Sequence, residues 1–183
     1  MESYLLKEVD FTLENAYVDA VLRFSASTFL FSDSASCSVG PILSQLMTQQ
    51  ETYGQGDSTY HAAGGQAGIR KLVDCFFDIM GSDSRYLTIY NWHPADREES
   101  RDKLALFLCG WMGGPKPFIE KYGTIRIPAA HQHLQVTEVE RDLWLECMGR
   151  ALHQQEYPVA LIEYLLRQLF IPAERIRQTC MGE

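Results

Sequence analysis

The sequence predicts an all-α fold, and three observations carry that prediction. No segment of the 183 residues sustains the alternating apolar and polar pattern of a half-buried strand. Several runs instead repeat apolar residues every three or four positions, the period of an amphipathic helix. Start and stop signals bracket those runs: Thr137 with Glu140, Asp96, and glycine pairs at 64–65 and 113–114.

With 46% apolar residues and a net charge of −8, the chain reads as one ordinary globular domain with room for an appendage. Nucleic acid and anionic membranes are disfavoured as partners, because the balance is acidic and lysine and arginine nowhere form a run. A membrane-spanning helix needs about 18 or more consecutive apolar residues, and no stretch reaches that. The opening MESYLLKEVD lacks the basic start and apolar run of a secretory signal, so a cytoplasmic location is expected. Cys37, Cys75, Cys109, Cys147 and Cys180 are odd in number, evenly scattered and without a C-x-x-C pair. They read as reduced, mostly buried thiols rather than a disulfide framework or a zinc site.

Asp10 is placed to cap a first helix with Leu13, Ala16, Tyr17, Ala20, Val21 and Phe24 on one face. A loop of small polar residues follows to Ser38, although Phe29, Leu30 and Phe31 within it are too apolar to stay in water. Gly40 and Pro41 open a second short helix through Ile42, Leu43, Leu46 and Met47. The polar stretch QQETYGQGDST then reads as a linker, with a boundary near Gly56. This divides the chain into an N-terminal helical extension, 1–56, and a main domain, 57–183.

In the main domain Gly64-Gly65 breaks a short helix, and 66–80 carries Ile69, Leu72, Val73, Phe76, Phe77 and Met80 at helical spacing until Gly81 ends it. Tyr86, Leu87, Ile89, Tyr90 and Trp92 lie on a connector to His93-Pro94. Asp96 caps the next helix, apolar at Leu104, Phe107, Leu108 and Trp111, and Gly113-Gly114-Pro115 stops it. A long irregular segment, KPFIEKYGTIRIPAA, leads to His131, where Pro128 limits any helix to a short turn. Thr137 and Glu140 form a capping box for a helix over 138–153, with a stripe through Val139, Leu143, Cys147 and Met148. A last helix from Pro158 is apolar at Leu161, Leu165, Leu166 and Leu169.

A histidine between two tryptophan-bearing helices suits haem, since an imidazole can hold the iron while apolar walls exclude water from a flat macrocycle. By itself the pattern is weak, because a lone histidine more often serves as an ordinary surface or core residue. Four blocks add to it: YHAAGG, LVDCFFDIM, HPADREESRDKLALFLCGWMGGP and AAHQHLQVTEVERDLWLECM. In that order and at nearly that spacing, residues 59–150 resemble the truncated haemoglobins of the second group. The resemblance implies a shortened globin, two helices crossed over two, with glycine pairs at turns where a positive φ is needed. The final helix matches only in pattern, and residues 1–56 match nothing known in that family.

Carried over residue by residue, the resemblance makes His131 the proximal ligand to the iron of haem b and His133 a bystander. Trp144 then points into the distal pocket as an N–H donor toward a ligand that gains negative charge. His93 matches a position beside the haem and is expected as a second donor. Leu104 and Phe107 match apolar residues over the ring, Ser100 matches the gate, and Val136 is counted with them as a haem contact. Lys103, Tyr122 and Arg126 are the expected propionate partners, because Ala130 stands where the family usually has a propionate-pairing arginine. Phe77 replaces a tyrosine whose hydroxyl usually bonds the ligand.

Dioxygen, nitric oxide and carbon monoxide are the ligands so implied, and the resemblance leaves two classes open. One is a scavenging or detoxifying enzyme, a nitric oxide dioxygenase or peroxidase-like protein that draws on an external electron donor. The other is a non-catalytic oxygen carrier, or a gas sensor that signals through the extension, where a homodimer is a further expectation.

Overall fold

The computed structural model describes residues 53–182, so the two helices expected between residues 10 and 47, the loop between them and Cys37 lie outside the described residues. Among the described residues every regular element is helical, as expected. In order they are α1 (Ser58–Ala62), α2 (Gly65–Ser82), a 3-10 turn (Ser84–Tyr86), α3 (Leu87–Asn91) and α4 (Arg97–Trp111). There follow α5 (Pro117–Tyr122), α6 (Ile127–His131), α7 (Glu138–Gln154) and α8 (Val159–Met181).

The core is organised on α2. Its expected stripe is buried in full, with Ile69, Leu72, Val73, Phe76, Phe77 and Met80 each at most 1% exposed. That stripe packs α2 against both α4 and α7, while α8 packs on α7 and α6. Each such side chain contributes about 1.5–3 kcal/mol on burial, against about 1 kcal/mol or less for an exposed ion pair. Burial therefore decides which face of α2 turns inward. The ion pairs at its rim set the register with α4: Arg101 donates to Asp78 at 2.6 Å and to the Asp74 carbonyl at 2.8 Å, and Arg70 pairs with Glu98 at 2.7 Å.

Several boundaries differ from expectation for local reasons. Gly81 does not end α2, which runs on to Ser82. The glycine instead makes room for Tyr90, whose ring would lie 3.0 Å from a Cβ at that position. The segment expected to be irregular holds α5 and α6, each with a proline in its first turn, where a missing N–H costs no helical hydrogen bond. The connector after α2 likewise holds the 3-10 turn and α3. Helices of five or six residues make fewer than about two turns, too few to display a period.

Gly113-Gly114 stops α4, as expected, and the close approach it permits is specific. Tyr60 N–H donates to the Met112 carbonyl at 3.1 Å, which draws the start of α1 across the end of α4. A Cβ on Gly113 would sit 1.9 Å from the Gly56 carbonyl oxygen, and one on Gly114 would sit 2.4 Å from the Tyr60 ring.

The capping box at the start of α7 is formed: Thr137 Oγ1 accepts from Val139 N–H and Glu140 accepts from Thr137 N–H. The stripe expected to follow is only half right. Cys147 and Met148 are buried, but Val139 is 63% exposed. At about 100° per residue Val139 lies roughly 180° from Met148, so the two share no face. The buried face runs instead through Leu145, Cys147, Met148, Ala151 and Leu152. Among the described cysteines all four are free, Cys109 and Cys147 buried and the other two half-buried. Burial pushes the Cys147 thiol up to about 12, which keeps it protonated and unreactive. No described helix is long and apolar enough to cross a membrane.

Candidate functional site

His131 is the last residue of α6, and two contacts fix it. Its Nδ1 lies 2.7 Å from the Ile127 carbonyl oxygen. A carbonyl only accepts, so Nδ1 carries the hydrogen and Nε2 keeps a lone pair free for a metal. From behind, α8 packs along α6, and the Cys180 thiol donates to the His131 carbonyl at 3.1 Å. His133 is exposed, whereas Val136, on the turn into α7, is buried.

A row of edge-on aromatic contacts runs from α7 through α2 to His93, two residues beyond α3. Trp144 meets Phe76 at 5.3 Å between centroids, Phe76 meets Phe77 at 5.6 Å, and Phe77 meets His93 at 4.9 Å. Both phenylalanines are fully buried, and Trp144 and His93 are half-buried at the two ends of the row. His93 Nδ1 lies 3.0 Å from the Ile89 carbonyl oxygen and 3.3 Å from that of Tyr90. Burial lowers the His93 pKa most, and the charge of Arg97 pushes the same way, so the ring is neutral near pH 7.

On α4, Ala105, Leu106, Leu108 and Cys109 are buried in the core, while Ser100, Leu104 and Phe107 are half-buried along a neighbouring face. Phe107 rests edge-on against Phe118 at 6.2 Å, and Phe118 leads to Tyr122 at 5.3 Å. The Tyr122 hydroxyl donates to Asp102 at 2.7 Å, and Lys121 pairs with the same oxygen at 2.8 Å. Together Lys121 and Tyr122 hold the Asp102 carboxyl below its usual range. Lys103 pairs with Glu99 at 2.9 Å, with its ammonium 5.2 Å from the centre of the Tyr122 ring. Two of the three expected propionate partners therefore share a neighbourhood and already hold protein partners. Arg126 stands apart from them, exposed at the N-cap of α6.

Two arginines at the site escaped the sequence reading. Arg97 stacks over Tyr90 at 4.4 Å, and its Nε is buried without a hydrogen-bond partner. Arg101 lies over the Phe77 ring at 5.3 Å while its guanidinium is held by Asp74 and Asp78. Both sit in the first turns of α4, where a charged residue ordinarily reads as solvated. Their places beside His93 and Ser100 in the sequence were the available signal.

These residues fit a haem. The donor set is a single imidazole with Nε2 free. Among the described residues no three histidines, cysteines or carboxylates gather where they could hold a metal by themselves. A metal at His131 would bring most of its ligands with it, as the iron of a macrocycle does.

Comparison with known proteins agrees with this reading. The family model of the bacterial-like globins matches residues 58–175. The chain is 28% identical over 123 residues to a group 2 truncated haemoglobin of Bacillus subtilis, covering 67% of this chain and 91% of that protein. It is similar to the solved cold-adapted truncated haemoglobin of the Antarctic marine bacterium Pseudoalteromonas haloplanktis, with 30% identity, a TM-score of 0.62, and 64% of this chain and 95% of that one covered. It is also similar to the truncated oxygen-avid haemoglobin of B. subtilis, with 28% identity, a TM-score of 0.58, and coverage of 64% and 97%. Since the family model spans more than half of the chain, this protein belongs to the bacterial-like globins and, among them, to the group II truncated haemoglobins, whose cofactor is haem.

Proposed function

We propose that this globin would hold haem b on His131, bind dioxygen and nitric oxide, and remove nitric oxide as nitrate when an external electron donor restores the iron. The observation that carries the proposal is the free Nε2 of an imidazole whose other nitrogen is fixed on Ile127. Likeness to a relative described as oxygen-avid supports dioxygen as a ligand. When bound, the haem supplies the ferrous iron that holds a diatomic ligand and the one electron by which dioxygen and nitric oxide become nitrate.

The chain's own residues do the rest. Phe76, Phe77, Leu104 and Phe107 keep water out, so a polar contact inside the pocket counts for more than the same contact in solvent. Trp144 is the donor for charge that gathers on the ligand, because an indole N–H only donates. Phe77 contributes no hydroxyl there. Ser100 is small and leaves access open, and Val136 supports the turn from His131 into α7. Lys103, Tyr122 and Arg126 meet the propionates at the rim, each adding little because water screens them.

Mixing nitric oxide with the reduced, dioxygen-equilibrated protein and assaying nitrate tests the proposal. The expected result is one nitrate for each haem, after which the reaction stops until a reductant is added. Displacement of dioxygen without nitrate would overturn the redox reading and leave a reversible carrier.

A further inference from the structure

Helix α6 bears His131 yet has little of its own to hold it in place. It is a single turn of five residues, none of them buried, and a helix shorter than about 12–15 residues does not persist by itself. Its position therefore comes from what touches it. We propose that Cys180, in the last turn of α8, is a positioning residue for the proximal ligand: its thiol fastens the His131 carbonyl and so fixes how the imidazole is presented to the haem iron. This rests on the haem reading above and deepens it by naming what sets the proximal side.

The His131 carbonyl closes α6, and the last carbonyls of a helix have no donor within it. Two donors come from outside. Leu134 N–H donates to this oxygen at 2.9 Å from the turn that follows, and the Cys180 thiol donates to it at 3.1 Å from α8. Among the described residues the thiol makes the one hydrogen bond that joins α6 to another helix. The imidazole is tied in turn to α6 itself, since Nδ1 donates to the Ile127 carbonyl one turn back at 2.7 Å. The ring is thus fixed to α6, and the end of α6 is fixed to α8. A loosened His131 carbonyl lets the helix end shift, and Nε2 moves with it.

Two facts set this thiol apart. The other half-buried cysteine, Cys75, donates to the Gln154 side chain at 2.9 Å and has no link to α6. Cys180 also lies beyond residue 175, where the match to the bacterial-like globins ends, on the stretch of α8 that runs past it to Met181.

The test uses haem-loaded protein, with wild type compared with Cys180→Ala, Cys180→Ser and Cys75→Ala. Two quantities are read: the rate at which haem passes to an excess of apomyoglobin, and the iron–histidine stretching band of the reduced, ligand-free form by resonance Raman. Cys180→Ala should lose haem about three- to tenfold faster than wild type, the effect of one hydrogen bond, with the stretching band displaced. Cys180→Ser, whose hydroxyl can donate to the same carbonyl, should stay within about twofold of wild type with its band unmoved, and so should Cys75→Ala. Unchanged haem loss or an unmoved band in Cys180→Ala would overturn the proposal. So would equal changes in Cys180→Ser or Cys75→Ala, because the donated hydrogen would then not be what counts. The S–H stretching band in the infrared, assigned by its absence in Cys180→Ala, reads the tie without haem: a frequency lowered as in a hydrogen-bonded thiol supports it, and that of a free thiol overturns it. A wild type without a Soret band would overturn the haem reading together with this one, whereas a Soret band with Cys180→Ala indistinguishable from wild type overturns this one alone.

Discussion

Gly113→Ala should destabilise the globin by about 3 kcal/mol, seen as a lower urea midpoint with an unchanged slope. Two costs add at this position. The backbone has a φ of +91°, in the left-handed region, and the new Cβ would meet the Gly56 carbonyl oxygen at 1.9 Å. A backbone oxygen tied into the crossing of α1 over α4 cannot move aside as a side-chain tip can. Gly123 separates the two costs, because its φ is +78° and nothing lies within 4 Å of a Cβ built there. Gly123→Ala should therefore lose less, about 1–2 kcal/mol, because only the backbone, at φ +78° and ψ −170°, is strained there. Equal losses at the two positions would mean that the close approach at Gly113 contributes nothing.

Trp144→Phe should raise the dioxygen dissociation rate about 10- to 100-fold, the effect of removing one strong hydrogen bond from a dry pocket. Phenylalanine keeps most of the edge contact with Phe76, now 5.3 Å between centroids, so the loss is chiefly that of the N–H. Phe77→Tyr tests the same idea from the other side. It adds a hydroxyl to a buried ring, and that one O–H can be donated to the bound ligand. Dissociation should become slower than in wild type, as measured by displacement with carbon monoxide in a stopped-flow instrument. Rates for Phe77→Tyr equal to wild type, or an unchanged rate in Trp144→Phe, would show that the pocket does not hold its ligand through donors.

Much of the fold was legible because burial and capping leave marks in sequence. The α2 stripe from Ile69 to Met80 repeats over about three turns, and the Thr137 and Glu140 pair can do little else at the head of an apolar run. Short elements were hidden for a matching reason. Helices α3, α5 and α6 are held by their packing on longer helices, and a proline near a helix start marks a loop equally well. Val139 was misplaced because a valine within reach of three apolar neighbours suggests a stripe, whereas only the packing against α2 and α8 fixes which side of α7 is inside.

The site was legible in a different way. Chemistry alone gave no reason to prefer His131 over His133, and the four blocks supplied it. The structure adds a physical distinction: His131 is half-buried with Nδ1 fixed on Ile127, while His133 is exposed. The hydrogen-bond direction at His93 and the setting of Arg97 were not legible, since both depend on which carbonyls the chain brings around a side chain at a helix junction.

The central claim is that His131 holds the haem. Absorption spectra in the ferric, reduced and carbon-monoxide-bound states, with haem content, should be recorded for wild type, His131→Ala and His133→Ala. Wild type and His133→Ala are expected to bind haem with a histidine-ligated spectrum, and His131→Ala is expected to fail to hold it. A histidine-ligated spectrum retained by His131→Ala, or a wild type that takes up no haem in any state, would contradict it.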